Sequence, residues 1–150
     1  MIPKRQRGTA IIEYPQGILL VSMRGTDYLR PGGGVEVGEI GLTATAREIR
    51  EEIGLSVHLL VFLFESATLA NQHMVYWARA VGTPKPCAEI ETLAYYREGV
   101  KLRISSGTRT ILNRFAAYRR DHPAIFSALE AHDALMRKQY LTSPPSLSSD

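Results

Sequence analysis

The stretch GGVEVGEIGLTATAREIREEIGL, residues 33–55, decides how the rest of the chain is read. Leu42, Ala46, Ile49 and Ile53 stand at i, i+4, i+7 and i+11. That is one face of a 3.6-residue period, so residues 42–53 are expected to form a helix with this face in a core. Gly54 follows as a C-terminal glycine. On a wheel stepped by 100° per residue, Glu51 and Glu52 fall within about 60° of Glu48, and the apolar stripe is centred roughly 130° away. Carboxylates at i, i+3 and i+4 repel one another, each pair costing an isolated helix roughly 0.2–0.5 kcal/mol. A sequence selected only for stability would more often place Lys or Arg there. A divalent cation removes the repulsion, and hard oxygen ligands suit Mg²⁺ or Mn²⁺ rather than zinc. The alternative is an acidic face that is simply solvated, with Arg47 and Arg50 in partial relief.

Outward from this helix, residues 8–14 and 17–24 are apolar, β-rich stretches flanking Pro15-Gln16-Gly17, the pattern of a hairpin. Arg24 to Asp27 reads as a second turn and Tyr28 to Arg30 as a short strand, after which Pro31 to Gly34 stops regular structure. Ser56 to Glu65, His73 to Ala80 and Thr92 to Tyr96 read as strands, with a proline-containing loop at Thr83 to Glu89. Ser105-Ser106 begin a helix whose apolar side is Ile111, Leu112, Phe115 and Tyr118. Asp121-His122-Pro123 caps another, running to about Tyr140, with Ala128, Leu135 and Met136 as its apolar side. The expected architecture is α/β, a mixed sheet packed between helices, in one domain over residues 1–140. The tail 141–150, rich in Pro and Ser, is expected to be disordered.

The chain of 150 residues is 45% apolar and 22% charged, which excludes collagen, coiled coil and wholesale disorder. Its longest apolar run, Leu59 to Phe64, is too short to span a bilayer, and MIPKRQRGTA lacks the apolar region of a secretory signal. With Cys87 as the one cysteine no intrachain disulfide forms, and a reducing cytoplasm is the expected location. The net charge of +3 suits an anionic ligand. The basic residues cluster at Lys4, Arg5 and Arg7 and at Arg114, Arg119 and Arg120, without the dense stripe and interleaved aromatics of a nucleic-acid binder.

The spacing of the opening stretch carries more than its helix. Gly33, Glu39, Arg47-Glu48, Ile49, Glu51-Glu52, Gly54 and Leu55 match G-x5-E-x7-R-E-U-x-E-E-x-G-U, where U is a bulky apolar residue. The seven fixed identities occur together by chance in fewer than about one window in a million at ordinary residue usage. The chain therefore resembles the Nudix family, over 23 residues directly and over roughly residues 7–118 with the flanking strands. The resemblance implies an α/β/α sandwich with a loop–helix–loop beside a mixed sheet. It also implies hydrolysis of a nucleoside diphosphate linked to a further group, with Mg²⁺ or Mn²⁺. Glu48, Glu51 and Glu52 correspond to metal ligands, and Glu39 to a supporting or additional metal-site carboxylate. Arg47 corresponds to the residue that orients a ligand carboxylate by ion pairing, and Gly33 and Gly54 to the backbone positions that enter and leave the helix. Glu51 or Glu52 is the first choice as acceptor of the water proton. Since a later loop carboxylate serves in some members, Glu89 is an additional choice, ahead of Glu91 and Glu98.

Other positions carry two readings. Gly33 and Gly34, with Gly32, either let backbone approach a phosphate or make a tight turn. The family often has W-x-L-P-G-G here, whereas this chain reads YLRPGG, so Arg30 stands where an apolar residue is usual. Arg30 either grips a substrate phosphate or faces solvent from an edge strand. Of Tyr76 and Trp77, alternation sends one to the core and leaves the other to stack on a base. Tyr95 and Tyr96 pose the same choice. His58 and His73 read as strand residues, and Cys87 as inert. The signatures of the ADP-ribose, dinucleoside polyphosphate, coenzyme A and NADH subfamilies are absent. Elimination leaves a nucleoside or deoxynucleoside triphosphate, oxidised or not, cleaved to monophosphate and pyrophosphate. The alternatives are a nucleotide-sensing domain without turnover and an RNA 5′ pyrophosphohydrolase. A homodimer is open: the 121–140 helix either packs across an interface or covers the chain's own core.

Overall fold

A computed structural model describes residues 3–141. It contains β1 (Arg5–Tyr14), β2 (Gly17–Met23), β3 (Gly32–Gly34), α1 (Gly41–Ile53), β4 (Ser56–Ala67), β5 (Asn71–Val81), β6 (Ile90–Tyr96), α2 (Ser106–Asp121) and α3 (Pro123–Met136). The sheet is six-stranded and mixed, in the order β4-β5-β1-β2-β6, with β3 paired to β1. The hairpin forms at Tyr14↔Gly17, β1 runs parallel to β5, and β4 runs antiparallel to β5. The architecture is the mixed α/β fold expected, with a correction at Gly32–Gly34. This triplet does not stop regular structure but is itself a strand, in register Arg7↔Gly34, Gly8↔Gly33 and Thr9↔Gly32. At Tyr28 and Leu29 the expected short strand is two isolated bridges, Val21↔Leu29 and Tyr28↔Ile104. The expected tail, 141–150, lies outside the described residues except for position 141.

Contacts divide the chain into two compact units, Met1–Leu112 and Asn113–Asp150. In the first, one apolar cluster draws Ala10, Ile12, Leu19 and Val21 from the hairpin together with Ile49, Ile53 and Leu55. Helix α1 sits almost backbone-to-backbone on β1. A Cβ added at Gly8 would collide with Thr45 Oγ1 and lie 2.7 Å from the Gly41 carbonyl oxygen. The helix starts at Ile40, which offers no side-chain acceptor; instead the Ile40 N–H donates to Thr43 Oγ1 at 3.2 Å. It ends at Gly54, whose φ of 70° is left-handed and whose N–H reaches the Arg50 carbonyl at 3.1 Å. The buried face is Gly41, Ala44, Thr45, Ile49 and Ile53. Leu42, expected in the stripe, is exposed, because the close seat at Gly8 rotates the first turn onto its small residues. Helix α2 begins as expected, with the Thr108 N–H donating to Ser105 Oγ at 3.2 Å.

Within the second unit, Phe115 meets Phe126 edge to face at 5.8 Å, and Tyr118 stacks on His122 at 4.2 Å. Asp121 does not cap α3 but ends α2. The N-cap is His122, without a side-chain hydrogen bond, followed by Pro123. The buried side of α3 is Phe126 and Asp133, not Ala128 and Leu135, which are exposed. Asp133 tolerates burial because Arg137, one turn on, pairs with it at 3.0 Å. Among the described residues no helix is long and apolar enough to cross a membrane.

Candidate active site

The short strand β3 and the helix α1 meet through Arg47. Its Nε and Nη2 donate to the two oxygens of Glu39 at 2.8 and 2.9 Å, and Nη2 also reaches the Gly34 carbonyl at 3.0 Å. Its Nη1 donates to Glu48 at 2.9 Å and to Glu51 at 3.2 Å. One guanidinium thus ties the loop before α1 to two turns of the helix, a geometry that suits the planar fork of Arg and not Lys. The Arg47 hydrogen bonds, with the Glu36 N–H, hold the Glu39 carboxyl down at about 2. The same bonds, chiefly to Glu39, push the Arg47 guanidinium well above its ordinary value.

Glu48 and Glu52 point to a different place. Both line a cleft of ≈ 200 Å³ shared by β1, β3 and α1. A Cβ at Gly33 would collide with the Glu48 carboxyl, so glycine there is what lets the carboxyl lie against the strand. Glu52 accepts the Gly32 N–H at 2.8 Å. Burial pushes the Glu52 carboxyl up to about 7; Glu48 and Glu89 add to the shift, while the Gly32 N–H and Arg7 oppose it. Glu89 reaches the cleft because its loop caps the end of α1. The Lys85 N–H donates to the Ile53 carbonyl at 3.1 Å and the Cys87 N–H to that of Glu52 at 2.9 Å. The chain then turns through Ala88 at φ 51°.

Arginines face the same space. Arg5, Arg7 and Arg30 line the cleft, with Val21, Leu29 and Ile90 among its apolar walls. Arg5, Arg7 and Thr9 alternate along β1 with period two, a signal present in the sequence that the reading of Arg5 and Arg7 as a mere basic cluster missed. Arg30 is not a solvent-facing edge charge; it is largely inside, donating to Thr108 Oγ1 at 2.8 Å and lying against the ring of His73. Of the glycines, Gly33 and Gly34 both line the cleft.

Other sequence candidates lie elsewhere. Glu39 and Glu51 are turned to Arg47 and do not line the cleft, and Glu91 and Glu98 are exposed away from it. Tyr76 and Trp77 are both buried, so neither is left to stack on a base; the Trp77 indole N–H is occupied by Glu13 at 2.8 Å. β5 is covered on both faces, which defeats the one-in, one-out alternation. Tyr95 packs edge to face with Tyr14 at 5.8 Å. Among the described residues no three His, Cys, Asp or Glu side chains converge as a metal cage. The fit to a divalent cation rests on Glu48 and Glu52. These two hard-oxygen donors share one cleft, one helical turn apart on α1.

A mixed sheet that brings a helix-borne carboxylate pair and three arginines into one cleft defines an α/β protein equipped for phosphate chemistry. The sequence model of the NUDIX domain matches residues 4–104, and the chain belongs to the Nudix hydrolase family. It is similar to a Nudix hydrolase family member from Chromobacterium violaceum, at 38% identity and a TM-score of 0.81, over 92% of this chain and 94% of that one. It shares its fold with a MutT Nudix hydrolase from Burkholderia pseudomallei, at 24% identity and a TM-score of 0.66, over 75% of this chain and 98% of that one. The same holds for an ADP-ribose pyrophosphatase from Streptococcus suis, at 19% identity and a TM-score of 0.62, over 71% and 83%. No curated protein matches the chain.

Proposed function

We propose that this chain hydrolyses a pyrophosphate bond in a nucleoside or deoxynucleoside triphosphate, giving monophosphate and pyrophosphate, with Mg²⁺ or Mn²⁺. The observation that carries the proposal is the joint lining of one cleft by Glu48, Glu52 and Glu89 and by Arg5, Arg7 and Arg30. Glu48 and Glu52 would hold the cation, with Glu51 and Glu39 as the outer carboxylates that Arg47 keeps in place. The cation, when bound, supplies neutralisation of phosphate oxygens and activation of a water.

The chain's own groups do the rest. The arginines offset the charge of the phosphate chain and orient it. The apolar walls, Val21, Leu29 and Ile90, offer a surface for the base. Of the carboxylates considered as proton acceptor, Glu52 and Glu89 line the cleft. Glu52 is engaged by the Gly32 N–H and, in this reading, by the cation, whereas among the described residues Glu89 has no hydrogen-bonding or ion-pair partner. Glu89 is therefore assigned the water proton and Glu52 the cation, a revision of the first choice made from sequence.

A panel of nucleoside triphosphates, oxidised deoxynucleotides, ADP-ribose, nucleotide sugars and dinucleoside polyphosphates, assayed with Mg²⁺, Mn²⁺ or EDTA, tests this. Metal-dependent release of monophosphate and pyrophosphate from a triphosphate is expected. Turnover confined to another class would replace the substrate, and ligand binding without product would replace the hydrolase reading with a sensing one.

A further inference from the structure

Arg30 stands where the YLRPGG segment departs from the usual family pattern, and its surroundings are unusual for a cation. Burying a guanidinium is costly unless a carboxylate pairs with it. Among the described residues Arg30 forms no ion pair. Its Nη1 donates to Thr108 Oγ1 at 2.8 Å, and Nη2 lies 3.2 Å from His73 Nε2 and 3.3 Å from Nδ1. His73 is buried in turn and fixed by Thr9 Oγ1 at 3.0 Å. Burial, with Arg30 and Arg7 nearby, pushes the imidazole down to about 4, so it is neutral near pH 7. The brace around Arg30 is therefore rigid and uncharged. Arg7, on strand β1, lines the same cleft, and its side chain likewise has no hydrogen bond or ion pair among the described residues; Glu52 attracts both guanidiniums across the cleft without pairing with either. A fold that needed Arg30 only for stability would have paired it with a carboxylate. With neutral braces and no ion pair, its fork is left open to a ligand.

We propose that Arg7 and Arg30 form a phosphate site, independent of the cation, that takes the terminal phosphate of a triphosphate and so selects nucleoside triphosphates over nucleotide sugars. The proposal rests on the hydrolase reading and deepens it. A terminal phosphate presents several anionic oxygens to two guanidinium forks, whereas a sugar presents neutral hydroxyls that cannot satisfy two desolvated cations. His73 and Thr108 are positioning residues here: they touch Arg30 and hold its fork toward the cleft.

The test is calorimetric titration of inorganic triphosphate into the whole chain in EDTA at low salt. The wild type is expected to bind. Arg30→Gln and Arg7→Gln should each weaken binding by about tenfold or more, the scale of one lost charge-assisted hydrogen-bonding partner. Arg50→Gln, on the exposed side of α1, should leave binding unchanged. With Mg²⁺ present, Arg30→Gln should raise KM for a nucleoside triphosphate about tenfold, more than it lowers kcat, and raise KM for a nucleotide sugar by a clearly smaller factor. Binding of triphosphate at wild-type affinity by folded Arg30→Gln and Arg7→Gln overturns the proposal, as does an equal rise in KM for both substrates. If Arg30→Gln does not fold, Arg7→Gln and Arg30→Lys decide, the lysine being expected to lose part of the affinity and glutamine at Arg7 most of it. Triphosphate binding through both arginines with no turnover of any substrate would sink the hydrolase reading and leave the site standing. Turnover with a wild-type KM in Arg30→Gln would do the reverse.

Discussion

Glu52 and Glu89 line the same cleft but are held differently, and this separates their expected effects. Glu52 is half-buried and accepts a backbone N–H, so its neutral analogue keeps the shape and removes the charge. Glu52→Gln should lower cation affinity and turnover together, turnover by about a hundredfold or more. Glu89→Gln should lower kcat by about 10²–10³ while leaving Mn²⁺ affinity near that of the wild type, as loss of a general base would. Steady-state kinetics with parallel Mn²⁺ titration separates the two, and an unchanged kcat in Glu89→Gln would return the proton to Glu51 or Glu52. His73 gives a prediction in pH. Its folded value is about 4 and its ordinary value about 6.5, so between these limits the unfolded chain binds the proton and the folded chain does not. Stability from this residue is present above about pH 6.5 and lost as the pH falls toward 4. The urea midpoint should drop between pH 7 and pH 4.5, and less steeply in His73→Gln; parallel profiles would show that His73 does not titrate this way.

At the scale of elements, the contact of α1 with β1 is what aims the carboxylates. A methyl at Gly8 would meet Thr45 Oγ1 and the Gly41 backbone, neither of which can swing away. Gly8→Ala should therefore destabilise the fold by about 2 kcal/mol or more, the range for overpacking a tight core. Gly54→Ala, placing a side chain at φ 70°, should cost about 1 kcal/mol. Urea denaturation of both variants checks the order, and equal small effects would show that α1 shifts freely on its sheet. Much of this was legible beforehand. The 3.6-residue stripe and the fixed spacing of charged residues located α1 and its glycine exit and put Glu48, Glu51 and Glu52 on one surface, because a helix converts spacing directly into direction; that Glu51 turns to Arg47 instead of the cleft was not legible. The strand β3 was not legible: three glycines carry no alternation, and their pairing with Arg7 to Thr9 is long-range. The place of Arg30 was hidden for a related reason. Whether an edge residue faces solvent or a cleft depends on what packs over it, here His73 from β5 and Thr108 from α2, 43 and 78 positions away.

For the molecule as a whole, the mixed sheet gathers side chains spread over residues 7–89 into one charged cleft: Arg7 from β1, Arg30 after β2, Glu48 and Glu52 from α1, and Glu89 before β6. Three arginines against three glutamates leave the cleft formally balanced, so a divalent cation tips it toward binding a polyphosphate. The cation should thus raise substrate affinity above what Arg7 and Arg30 supply alone, and chelation should abolish turnover without unfolding the chain. The most direct measurement is release of monophosphate and pyrophosphate from a nucleoside triphosphate, followed with Mg²⁺ and with EDTA, by the wild type and by Glu52→Gln. Mg²⁺-dependent release that is lost in EDTA and reduced at least about a hundredfold in a folded Glu52→Gln is expected. Release that persists in EDTA, or at the wild-type rate in Glu52→Gln, would contradict the assignment of this cleft as the catalytic site.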